Sequence, residues 1–188
     1  MNSDIKEVGR YLRIPINNLP EQTKATIEEM LKISNGLSPQ KRVAFFDVEK
    51  SESGIKLLGT NLILEGNLIN KHFFGCKKII VILATLGMKS ELLLKEYFAK
   101  NAEKAVVLDA CFTFEIEKYL DEAEEEIKNK GFDITSRISC GYGDLQLNYQ
   151  EDLLELVDGK KIGVFQNESY MLTPNKSVIA LIGVKDEA

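Results

Sequence analysis

The sequence predicts an α+β fold: one domain, a mainly antiparallel twisted sheet, and long helices flanking it. Three observations carry this expectation. Strand-like and helical segments interleave without the strict alternation of a parallel βαβ chain. Two short apolar runs, residues 55–58 and 62–64, flank Gly59-Thr60-Asn61 as the arms of a hairpin would. Two long helical stretches lie next to one another in the middle of the chain, and further strand-like runs come after them. The 188 residues suffice for one domain with a substantial core.

The first clear helix spans about residues 20–34. Pro20 suits its first turn, Gly36 is placed as a left-handed stop, and Ile27, Met30, Leu31 and Ser34 share helical spacing. Residues 42–48 are rich in β-branched and aromatic side chains and read as a strand. A short helix follows the hairpin, over about 65–74. Lys78–Thr85 is almost continuously apolar, the pattern of a central strand covered on both faces. Gly87 breaks it, and Met88–Lys100 is helical.

From residue 101 to 130 the pattern is one long helix, ended by Gly131. Ala102, Ala105, Val106, Asp109, Phe112, Ile116, Leu120, Ala123 and Ile127 recur at steps of three or four. Seven acids and three bases over 115–130 read as a solvated face. Asp109 falls on the apolar stripe, where a carboxylate needs a partner; a structural pairing is expected, with a place in a site as the alternative. A strand over 132–138 follows. Asn148 is placed to cap a helix over 149–157, and strands over 162–165 and 177–184 complete the chain.

Hydrophobic residues make up 44% of the chain and charged residues 28%, an ordinary globular balance. The net charge of −5 disfavours nucleic-acid binding, which needs a basic face. The longest strongly apolar run, 79–84, is far too short to span a bilayer. The start, MNSDIKEVGR, has no apolar core of a secretory signal, so a cytoplasmic protein is expected. Cys76, Cys111 and Cys140 are widely spaced and His72 is the lone histidine. Free thiols are expected rather than a zinc site, and a serine–histidine–aspartate triad finds no support.

The chemistry concentrates in RISCGYGDLQLNYQ, residues 137–150. Arg137 offers a rigid donor fork for a carboxylate. Gly141 and Gly143 allow close backbone approach or positive φ, and Tyr142 presents an aromatic face to a planar base or a cation. Together they suit a small molecule with a carboxylate and a positive charge; a strand-ending turn with Arg137 paired to a structural acid is the alternative. The G-x-G lacks the third glycine of a dinucleotide fingerprint, and no lysine marks a phosphate loop. Cys140 is expected to be an inert thiol, although Arg137 nearby could stabilise its thiolate.

The pattern R-x-S-x-G-Y-G-D-x-x-L-x-x-Q over Arg137 to Gln150 resembles the signature of the reactivation domain of cobalamin-dependent methionine synthase, and more closely its stand-alone bacterial relatives. NESYMLTPNKSV, Asn167 to Val178, resembles that family's T-E-S-x-x-M-x-P-x-x-S-V segment. LATLG (83–87) and LDA (108–110) match in order, so the resemblance covers roughly residues 5–184. It departs where Cys140 replaces a proline and where Ile182 stands near the place of a final-strand tyrosine.

The resemblance implies a reactivation subunit that binds S-adenosylmethionine, for a methionine synthase lacking its own activation domain. The cobalamin would be carried by that partner and reduced by flavodoxin through the complex. It maps Arg137 onto the ligand carboxylate, Gly141 and Tyr142 onto the lining loop, and Ser139 and Cys140 onto backbone contacts. A long-helix acid is also implied, with Glu117 and Asp109 as candidates. No residue is implied as a proton-transfer catalyst, and turnover by the chain alone is not expected. The alternative is a docking adaptor for another corrinoid protein with a vestigial ligand site.

Overall fold

A computed structural model describes residues 3–15, 19–51 and 54–187. Six strands form one antiparallel sheet in the order β3-β2-β1-β4-β8-β5. These are β1 (Gln40–Lys50), β2 (Gly54–Leu57), β3 (Ile63–Glu65), β4 (Lys78–Thr85), β5 (Phe132–Ile134) and β8 (Ser177–Glu187). A separate two-stranded ribbon pairs β6 (Phe165–Gln166) with β7 (Leu172–Thr173). Six α-helices accompany them: α1 (Ser3–Tyr11), α2 (Glu21–Ser34), α3 (Asn67–His72), α4 (Met88–Lys100), α5 (Ala102–Lys128) and α6 (Tyr149–Leu156). None among the described residues is long and apolar enough to cross a membrane.

The continuous apolar run of β4 follows from its place. It pairs over its whole length with β1 on one side and β8 on the other, and both of its faces are covered. Ile80, Ile82 and Ala84 join Ala180, Ile182 and Val184 under α1, α2 and α5. Ile79, Val81 and Leu83 join Ile179 and Leu181 on the opposite face, against α3 and α6. Full burial of each isoleucine, leucine or valine among them stabilises the fold by about 1.5–3 kcal/mol. β1 lies next to β4 but is covered on one face only: Ala44, Phe46 and Val48 pack inward, while Val43 and Phe45 are exposed.

Several expectations are corrected in detail. A helix before residue 20, α1, buries Ile5 and Val8 against α5. Pro20 is the extended residue just before α2, and Gly36 is not left-handed; Asn35 ends the helix in ordinary αR geometry. The strand expected over 132–138 stops at Ile134, where the register with β8 shifts between Asp133 and Ile134. Ile138 then rejoins as a single bridge to Leu181. Asn148 is itself αR and its side chain caps nothing. Residues 159–162 form a 3₁₀ turn, which leaves Phe165–Gln166 as the strand there.

The first turns of α5 are rotated from the expected stripe. Ala105, Leu108 and Phe112 are buried, whereas Val106 is 53% exposed and Asp109 is only half-buried.

One glycine sets the path toward the motif. A Cβ on Gly183 would lie 2.5 Å from Cys76 Sγ and 2.7 Å from Phe73 Cδ1. With none present, Phe73 and Cys76 close against β8. The Gly183 carbonyl accepts from Thr135 N at 2.9 Å, and its own N–H donates to Thr135 Oγ1 at 2.9 Å.

Candidate functional site

Residues 135–138 run along the outer edge of β8. Ile138 exchanges both backbone hydrogen bonds with Leu181, at 3.0 and 2.7 Å, and buries its side chain on the α3/α6 face. Successive side chains of an extended segment point to opposite faces. Arg137 is therefore turned to the other side, where α5 lies.

There it meets three carboxylates. Nη2 donates to Glu117 Oε2 at 2.6 Å, and Nη1 donates to Asp121 Oδ1 at 2.7 Å and to Glu124 Oε1. The acids sit at i, i+4 and i+7 of one helix, which places them on one face. Burial works against the guanidinium's charge, but hydrogen bonds from Glu124, Glu117 and Asp121 outweigh it and hold the group above its ordinary value. The acidic stretch of α5 is thus more than a solvated face. Glu117 and Asp121 also form one wall of a cavity of about 340 Å³ between α1 and α5, opposite Glu7, Arg10 and Tyr11.

The rest of the motif forms a compact turn. Tyr142 N donates to the Ser139 carbonyl at 3.2 Å, and Gly141 N to the Leu145 carbonyl at 2.7 Å. Gly141 has φ +88°, and a Cβ there would press on Leu147 at 3.1 Å. Asp144 anchors the turn to the start of α3 by accepting from Asn67 N at 2.7 Å and Leu68 N at 3.0 Å. Those backbone donors, Leu68 first, hold its carboxyl below the usual range. Tyr142 is 65% exposed. Downstream, the buried Gln150 amide donates to Gln166 Oε1 at 2.7 Å and to the Tyr170 carbonyl at 2.8 Å. This joins the motif to residues 167–173, where Tyr170 and Met171 are exposed.

The expected site residues thus fall into two groups. Arg137 and Glu117 are bonded to each other on the α5 side. Ser139, Cys140, Gly141 and Tyr142 belong to the turn, and no hydrogen bond, ion pair or ring contact among the described residues joins Arg137 to Tyr142. The Cys140 thiol is pushed up to about 11 by burial, which opposes a stabilised thiolate. Asp109 pairs with Lys176 Nζ at 2.9 Å, and Lys176 also donates to Thr113 Oγ1 at 2.8 Å. His72 Nε2 lies 2.8 Å from the Ser136 carbonyl and steadies the segment that carries Arg137. Sequence reasoning missed Asp121 and Glu124; the signal was their spacing from Glu117.

In sequence comparisons no family model and no curated protein matches the chain. Among solved structures it is similar to the MetH reactivation domain bound to AdoHcy, with a TM-score of 0.68 over 98% of this chain and 76% of that chain. The fold is that of the MetH reactivation domain. Sequence identity is 13%, so the likeness lies in the architecture rather than in shared side chains.

Proposed function

We propose that the chain binds S-adenosylmethionine and acts as a reactivation subunit for a cobalamin-carrying methionine synthase partner. The observation that carries this reading is the Arg137–Glu117 pair, beside a cavity between α1 and α5, in a fold whose MetH representative was solved with AdoHcy bound. The donor set fits such a ligand. A guanidinium suits its carboxylate, and neighbouring carboxylates suit its ammonium group.

When bound, S-adenosylmethionine supplies an activated methyl group on a sulfonium. Arg137 holds the ligand's carboxylate and Glu117 its ammonium. The turn of Ser139, Cys140, Gly141 and Tyr142 lines the ligand, with Tyr142 offering its ring face. No proton transfer is needed, so the chain's contribution is alignment. The acceptor cobalamin comes from the partner, with flavodoxin supplying the electron through the complex, in the cytoplasm.

Titration calorimetry tests the reading. S-adenosylmethionine binds the folded chain, and Arg137→Lys, which keeps the charge but loses the planar fork, weakens binding about tenfold or more. No heat up to millimolar ligand, even with the partner's cobalamin domain present, would refute it.

A second reading draws on Arg137 already being bonded to three acids: a docking adaptor for a corrinoid protein, with the ligand site vestigial. Capture of a corrinoid protein that is indifferent to S-adenosylmethionine, together with silent calorimetry, selects it.

A further inference from the structure

The three partners of Arg137 are not equivalent, and their difference deepens the ligand reading, on which this inference rests. Nη1 serves two of them, Asp121 at 2.7 Å and Glu124, while Nη2 serves Glu117. Nε makes none of these bonds. The Glu124 side chain is 13% exposed, that of Glu117 36% and that of Asp121 67%.

A guanidinium has a fixed set of N–H donors in one plane. An arriving carboxylate must therefore displace a carboxylate already there or settle for the remaining donors. Glu124 cannot leave cheaply, because letting go would strand a shielded, unpaired charge. Asp121 gives up little, because water solvates it wherever it turns. Asp121 and Glu117 line the cavity, whereas Glu124 and Arg137 itself do not, so these two acids stand between the cavity and the guanidinium.

We propose that Asp121 is an internal competitor for the ligand carboxylate, a displaceable gate on Arg137, while Glu124 stays bound. On ligand entry the Asp121 carboxylate leaves Nη1 and turns to water, while Glu117 stands beside the ligand's ammonium. The arrangement also selects by charge. Three carboxylates around one guanidinium leave the locality negative, so a plain organic anion is repelled. A ligand carrying its own cationic amine is accepted.

Two measurements on the full chain test the gate. The first needs no ligand. The rate at which phenylglyoxal modifies Arg137, read by peptide mass spectrometry, is low in the native protein and rises several-fold in Asp121→Asn. Equal rates overturn the gate. The second is calorimetry with S-adenosylhomocysteine. Asp121→Asn tightens binding about two- to five-fold, the range set by an exposed ion pair, and Glu124→Gln does not. Binding by the native chain with no gain in Asp121→Asn overturns the gate and leaves the ligand reading intact. An equal gain in Glu124→Gln overturns the choice of Asp121. Absence of binding in both proteins, with Arg137 more reactive in Asp121→Asn, overturns the ligand reading and the competitor role with it, and leaves Asp121 as a shield on Arg137.

Discussion

Glu115 shows how one residue can work against the fold that holds it. It lies on α5 near Ser34, at the end of α2. Neither its Oε1 nor Ser34 Oγ closes a hydrogen bond with sound geometry. Burial, its largest influence, raises its pKa; Lys118 and Ser34 offset this in part, and Asp4 and Glu122 add to it. A carboxyl raised on folding stabilises most below its unfolded pKa, about 4.3. That contribution is lost as pH rises through the higher folded value. Glu115→Gln is therefore expected to unfold at a higher temperature than the native chain at pH 7. The gap should narrow toward pH 4, and thermal melts across that range check it.

Arg137 was conspicuous in the sequence, but its partners were not. Glu117, Asp121 and Glu124 share one helix face, and the same spacing describes an acidic face that merely meets water. Only the tertiary path, with Ile138 fixed on β8 and Arg137 turned the other way, separates the two cases.

Among the elements, those whose pattern matched their burial were legible. β4 and α4 have the bounds that the sequence implies, because a strand covered on both faces must be continuously apolar. α5 was legible as a helix but not in phase. Residues 105–112 are almost wholly apolar, so periodicity could not distinguish the buried Leu108 from the exposed Val106. The segment after β5 was misjudged because a bulge leaves no clear mark on composition. Gly183→Ala forces a methyl group into Cys76 and Phe73, and about 1–3 kcal/mol of stability should be lost. Chemical denaturation measures this. A neutral substitution would mean that the Phe73–Cys76 packing yields more easily than the distances suggest.

For the molecule as a whole, the fold matches the MetH reactivation domain although only 13% of residues are identical. If the ligand reading holds, binding and global stability are linked. At a hundredfold excess over its dissociation constant, a ligand confined to the folded state adds about 2.7 kcal/mol. That corresponds to a rise of about 5–10 °C in Tm for a chain of this size. Differential scanning fluorimetry with S-adenosylmethionine reads the shift directly, and Arg137→Lys at the same ligand concentration should remove about half of it or more.

The strip from Thr135 to Ile138 has a protective consequence of its own. It seals the flank of β8, where Leu181 and Gly183 would otherwise offer unmet amide and carbonyl groups to a strand from another molecule. The Arg137 clamp on α5 adds to the backbone bonds and the His72 contact that pin this seal. Arg137→Ala should therefore make the protein stickier toward itself. Light scattering during mild heating should show assembly that steepens with protein concentration, at temperatures where the native chain stays monodisperse.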